Sequence, residues 1–190
     1  MARGDLPALA RLDIADDPQV WRRLGFAVDD AATRVGGVEL RFTGPAAGTG
    51  ITGWGLAGSP GLPAAIDGIA TAVVAPPDGP AAAHPNGASR IDHVVVTTPD
   101  IERTVAALAA TGLEVSRLRD TGLPGPRARQ AFVWSGDVIL ELAGPQTPSG
   151  DGPAALWGLV VVTDDLDGLP AQTGEGVAGI RRAVQQGRRI

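Results

Sequence analysis

The stretch "IDHVVVTTPDIERTVAALAATGLEV", residues 91–115, decides the architecture. Ile91 to Val96 is dominated by β-branched residues and reads as a short strand. Thr98 can serve as a helix N-cap, Pro99 suits the first helical position, and Asp100 and Glu102 suit the positive end of a helix. Ile101, Val105 and Leu108 then recur at helical spacing, and Gly112 supplies a stop. Downstream, "EVSRLRD", the turn-rich "TGLPGPR", "RQAFVW", a Ser-Gly-Asp turn and "VILELAGP" read as three further strands, the last two joined as a hairpin. The unit is β-α-β-β-β.

The closing element occurs twice. "GGVELRFTGP" (36–45) aligns with "GDVILELAGP" (136–145) at an offset of 100 residues. Two more echoes follow in the same order: "GWGLAG" (53–58) with "LWGLVV" (156–161), and "IDGI" (66–69) with "LDGL" (166–169). This is an internal duplication. It divides the chain into a first half, 1–74, with a degenerate second module, a Pro/Gly-rich linker, 75–88, and a second half, 89–190, whose fourth module is incomplete. The repeat calls for strands beyond Ile190, supplied by a longer chain or lost from a curtailed unit.

Composition excludes several function classes. Cysteine is absent, which removes disulfides, thiolate metal sites and cysteine nucleophiles. The 16 basic residues are all arginine, and a net charge of -5 without basic clusters offers no footprint for nucleic acid. No apolar run approaches the ~20 residues of a membrane helix. A cytoplasmic protein without a membrane partner is expected. No nucleophile elbow, phosphate loop or dinucleotide fingerprint is present.

Strand parity places the polar side chains. Val94 and Val96 share the face that packs under the helix, leaving His93 and Val95 on the other. Val138, Leu140 and Leu142 form the apolar face of the last strand, so Glu141 shares the surface of His93. The first-half counterpart of Glu141 is Arg41. Trp54 and Trp157 hold equivalent places in the repeat, and Trp134 lies on a third strand. An indole at such places is more often core than binding platform. His84 to Gly87, "HPNG", is turn chemistry before anything else.

Residues 91–115 followed by "VILELAGP" resemble the vicinal oxygen chelate superfamily, which includes glyoxalases, extradiol dioxygenases, epimerases and bleomycin-binding resistance proteins. Within it, the likeness is to glyoxalase-like proteins of GC-rich bacteria. The resemblance implies an α+β fold of duplicated βαβββ modules, with curled mixed sheets around a concave cavity. It also implies that metal-binding members take ligands from the first and fourth strands of paired modules. On that pattern His93 and Glu141 are the metal-ligand candidates, but Arg41 and Gly158 stand where further ligands would fall. The first-module counterpart of His93 is Ala10 or Arg11. A divalent metal therefore has an incomplete ligand set, and no cofactor is expected.

The expected function is binding of a small organic molecule in the concave cavity, with His93, Glu141, Arg41, Trp54, Trp134 and Trp157 as ligand-contacting candidates. The alternative is a metal-dependent lyase, isomerase or dioxygenase using His93 and Glu141. Arg41 is expected near enough to Glu141 to pair with it, and an open edge in the fourth module is expected to favour a homodimer.

Overall fold

The decisive stretch forms strand β7 (Ala88–Thr97) and helix α2 (Ile101–Ala109) in a computed structural model that describes residues 6–121, 127–169, 180, 182, 189 and 190. The helix begins two residues later than the Thr98 cap implies. Asp100 is the N-cap, its carboxylate accepting from the Arg103 amide at 3.1 Å, while the Thr98 hydroxyl accepts from the Asp100 amide. Pro99 thus precedes the helix instead of opening it. At the other end, Gly112 adopts a φ of 91° and the Leu113 amide returns to the Leu108 carbonyl, which closes the last turn.

Strands β8 (Val115–Thr121), β9 (Ala128–Ser135) and β10 (Val138–Pro145) complete the βαβββ module, and β11 (Ala155–Thr163) opens the next. The sheet order is β11-β7-β10-β9-β8, with β10 parallel to β7 and β11 antiparallel to it. The first half repeats the plan with losses. Its first module is β1 (Ala8–Ile14), a six-residue helix α1 (Pro18–Arg23), β2 (Ala32–Val35) and β3 (Val38–Phe42), without a counterpart of β8. Its second module is β4 (Ile51–Ala57), β5 (Ala65–Ile66) and β6 (Ile69–Val73), without a helix. The order is β2-β3-β1-β4-β6-β5. These two mixed, curled sheets are the α+β architecture expected from the repeat. No helix among the described residues is long and apolar enough to cross a membrane.

Two of the three sequence echoes are also structural. Val38, Leu40 and Phe42 are buried on β3 as Val138, Leu140 and Leu142 are on β10, and both strands run parallel to the first strand of their module. Gly36 and Gly136 hold the same turn at φ 61° and 65°. Each also presses against the first strand of the other half: a Cβ on Gly36 would come within 3.1 Å of Arg90, and one on Gly136 within 3.0 Å of Ala8. "WGL" opens the second module in both halves, on β4 and β11. The third echo diverges. Asp67 and Gly68 take positive φ values of 47° and 86° in the tight β5–β6 hairpin, whereas Leu166 to Gly168 form a turn outside any strand. The repeat also implies a short helix around 166–172, of which residues 170–172 lie outside the described residues, as do 173–179, 181 and 183–188 of the fourth module.

The buried faces of both sheets belong to one apolar cluster that includes Leu12, Leu40, Val94 and Leu140 from the strands and Ile101 and Leu108 from α2. Two polar clamps join the halves, and a third ties the linker to the first half. Asp67 pairs with Arg103 of α2 at 2.7 Å and accepts from Thr104. Buried Ser135 donates to the Pro7 carbonyl. His84, also buried, accepts from the Ala27 amide at Nδ1 and reaches the Arg34 carbonyl at Nε2, both at 3.1 Å. Burial pulls its pKa below the ordinary 6.5.

Candidate functional site

The registers of the second sheet define a grid on the face turned away from the core. One row runs Val160, His93, Ile139, Trp134 across β11, β7, β10 and β9. The next runs Gly158, Val95, Glu141, Phe132 and ends at Arg117 on β8. The third carries Thr97, Ala143, Gln130 and Arg119. The polar residues form a diagonal through this grid. Asp92 Oδ2 contacts His93 Nδ1 at 3.0 Å, and His93 Nε2 lies 3.5 Å from Glu141 Oε2. Glu141 Oε1 accepts from the Gln130 side-chain amide, and Gln130 Oε1 accepts from Arg119 Nε at 3.0 Å. Arg119 also stands 5.9 Å from the centre of the Phe132 ring. Apolar side chains flank this line on both sides, with Ile139 and Trp134 on one and Val95 and Val160 on the other.

His93 and Glu141 therefore come together as strand parity requires. Trp134 joins their face and is 50% exposed. The remaining candidates go elsewhere. Trp54 is 1% exposed and faces the core opposite Leu12, its indole nitrogen donating to Thr71 at 2.8 Å; it is packing, not platform. Trp157 is 74% exposed because a bulge in β11 between Leu156 and Gly158 leaves it out of register. Arg41 does not approach Glu141. It lies on the outer face of the other sheet and pairs with Asp13 at 2.7 Å, because the sheets share one core and their polar faces turn outward. The register also settles the counterpart of His93 in the first module. Ile139 pairs with His93 as Glu39 pairs with Arg11, so the residue is Arg11.

Asp92, Gln130 and Arg119 were missed from sequence. Alternation along "RQAFVW" places Gln130 and Trp134 on one face, a signal that was available. Arg119 was not accessible in that way, since a register shift between Val115 and Arg117 resets the parity of β8. A cavity of about 190 Å³ lies away from this diagonal, at the seam lined by Leu24, Phe26, Asn86, Ala88, Val161, Thr163 and Leu169. Its polar groups are already engaged: the Asn86 amide donates to the Leu24 carbonyl, and the Thr163 hydroxyl donates to the Asn86 carbonyl. The "HPNG" segment is structural, with a turn closed by the Gly87 amide on the His84 carbonyl.

No family model and no curated protein matches the chain in sequence. Solved structures do match its architecture. A triple mutant of 4-hydroxymandelate synthase from Streptomyces coelicolor superposes with a TM-score of 0.62 at 17% identity, over 93% of this chain and 77% of that one. A fusion of a xylose isomerase-like TIM barrel with 4-hydroxyphenylpyruvate dioxygenase superposes at 0.52 and 14% identity, over 87% of this chain and 38% of its own. The chain has the vicinal oxygen chelate fold. His93 stands on the first strand of its module and Glu141 on the fourth. The pairs His93 with Val160 and Val95 with Gly158 are exchanged by the local two-fold between β7 and β11, so the place matching His93 in the next module is Gly158. A Cβ added there would meet nothing within 4 Å. Asp92 on Nδ1 is the kind of outer carboxylate that orients a ligating imidazole. Two converging donors nonetheless fall short of the three protein ligands a catalytic divalent ion takes, and no cluster of three such donors occurs among the described residues.

Proposed function

We propose that this chain binds a small organic molecule on the outer face of the second sheet, without a complete metal site of its own. The observation that carries the reading is the grid itself. A fixed polar diagonal crosses an apolar, partly exposed floor, which is the composition of small-molecule sites. Open space stands over Gly158, where a further ligand would be needed. Elemental analysis of the full-length protein after mild purification should find less than one equivalent of Zn, Ni, Mn or Fe. A screen of small organic compounds should shift the resonances of Trp134, Ile139 and His93 together. Compounds that bind only at the seam near Phe26 would remove the reading.

The second reading is a metal-dependent lyase, isomerase or dioxygenase. It is supported by the Asp92–His93–Glu141 arrangement and by the dioxygenase named in one structural neighbour. One equivalent of metal bound through His93 and Glu141 would establish it over the first. Association into a homodimer belongs to the same proposal, because β11 is the outermost strand of its sheet among the described residues and carries no charged residue to discourage pairing. Sedimentation analysis tests it.

A further inference from the structure

Strand β8 has no counterpart in the first half, and it brings to the second sheet two cations that no carboxylate answers among the described residues. Arg117 pairs with Phe132 and Arg119 with Gln130 in the ladder, and Phe132 pairs in turn with Glu141. Both guanidinium groups therefore rise on the face of Glu141 and Trp134, from backbone positions about 6–7 Å apart. Arg119 is built in. Its Nε and Nη2 both donate to Oε1 of Gln130, and its guanidinium stands 5.9 Å from the centre of the Phe132 ring. These contacts hold the group without neutralising it, and among the described residues no acceptor takes its other N–H donors. Arg117 is exposed, and its side chain meets no acceptor among those residues. Arginines elsewhere in the fold are answered: Arg41 by Asp13, Arg90 by Asp92, Arg103 by Asp67, and Arg129 by Asp120 and Glu102. An arginine on an edge strand also discourages pairing with another sheet. That role needs neither an anchoring amide nor a ring beside the guanidinium.

We propose that Arg117 and Arg119 form the anion-binding end of the ligand surface, and that the ligand is a flat aromatic molecule carrying a carboxylate. The proposal rests on the reading of this face as the ligand surface and names the chemical class it takes. The ring of the ligand lies on Trp134, which is 50% exposed and shares strand and face with Phe132. Its carboxylate then falls one strand over, at β8, where the Nη1–Nη2 edge of Arg119 presents two parallel N–H groups to its two oxygens. Arg117 adds a second positive charge from the next outward position on the same strand. Glu141 stands two strands inward of Arg117, about 10 Å by strand spacing, so its repulsion is weaker there than the attraction of the arginines. Guanidinium groups stay charged at any working pH, and this end of the surface keeps its sign independently of His93.

Three probes, 2-naphthoate, 2-naphthamide and 2-naphthylmethylammonium, share a ring system and differ in charge. Titrations of the full chain followed by the indole N–H resonance of Trp134 should show 2-naphthoate binding about tenfold more tightly than the amide, the ratio that hydrogen bonds to a charged group confer. The ammonium should bind most weakly, and added salt should narrow the gap between acid and amide. Arg117→Gln and Arg119→Gln combined should remove the preference for the acid and leave amide binding unchanged, which also reports that the variant is folded. Arg119→Lys keeps the charge without the fork and should retain only part of the preference. Equal binding of acid and amide to the wild-type protein would overturn the anionic class while leaving the face a ligand surface. A preference for the acid that persisted in the double variant would overturn the assignment to these arginines. No shift of Trp134 with any of the three probes would overturn both readings.

Discussion

At equivalent places the first sheet carries Arg11, Asp13 and Arg41 where the second carries His93, Val95 and Glu141. In the first, Asp13 lies between two guanidinium groups, 3.1 Å from Arg11 and 2.7 Å from Arg41. In the second, an imidazole and a carboxylate face one another over an apolar neighbour. One face has closed on itself as an ion-pair cluster, and the other carries a line of polar contacts from Asp92 through His93 and Glu141 to Gln130 and Arg119. The inward faces show no such divergence: Val38, Leu40 and Phe42 answer to Val138, Leu140 and Leu142. Burial ties the inward positions to apolar residues of matching size, whereas the outer positions are constrained only by their neighbours along the sheet surface.

The sameness of the inward faces is the part most costly to break. Leu40→Ala and Leu140→Ala each empty a fully buried place and should destabilise the protein by about 2–5 kcal/mol, with closely similar values for the two. For a chain of this size that corresponds to a fall of roughly 4–20 °C in Tm, readable by calorimetry. A large cost at one position and a small one at the other would mean that the two halves do not share their core equally.

This division between inward and outward positions also explains what could be read from the chain. The module 89–145 was legible because its strand, helix and hairpin each carry period, cap and turn signals, and because its hairpin recurs at 36–45. The facing of His93 and Glu141 followed from parity alone. Three things were hidden. The bulges at Val115–Arg117 and Leu156–Gly158 shift parity without any residue that announces them, so Arg119 and the exposure of Trp157 could not be counted out. Trp54 shares its Trp-Gly-Leu context with Trp157, yet that context cannot say which of two faces an indole takes. The separation of Arg41 from Glu141 is a matter of how two sheets pack, and the repeat pattern describes each sheet only by itself.

The anchoring of the linker on the first half offers a sharper test. His84→Ala leaves the Ala27 N–H and the Arg34 carbonyl without their side-chain partner and should cost about 2–4 kcal/mol. The wild-type protein should also respond to acid here. The folded pKa of His84 lies below 6.5, so as the pH falls through 6.5 the unfolded chain takes up the proton first. Stability from this group is complete above 6.5 and declines as the pH drops toward the lowered folded value. Denaturant unfolding at pH 7.5 and 5.5 should show that decline, and His84→Ala should remove its share of it. A wild-type stability that rose over the same interval would contradict the neutral, doubly bonded ring.

The smallest expected effects fall on the two outer faces, and there the comparison between the halves becomes quantitative. Arg41→Ala removes a side chain that is 46% exposed and an ion pair open to solvent, so it should change stability by no more than about 1 kcal/mol. Asp13 keeps Arg11 as a partner in that variant, which limits the loss further. Glu141→Ala acts on a tighter assembly. It takes the acceptor from the Gln130 amide and opens the diagonal that runs on to Arg119, without leaving an unpaired ion in the core. A cost of about 1–2 kcal/mol is expected, larger than for Arg41→Ala yet well below that of Leu140→Ala. The distinction between the faces lies in the double variant. Arg41→Ala and Glu141→Ala should add within about 0.5 kcal/mol, because the two residues share no partner and stand on different sheets. A coupling well above that value would mean that the two outer faces communicate, and that the arginine of the first half does act on the site of the second.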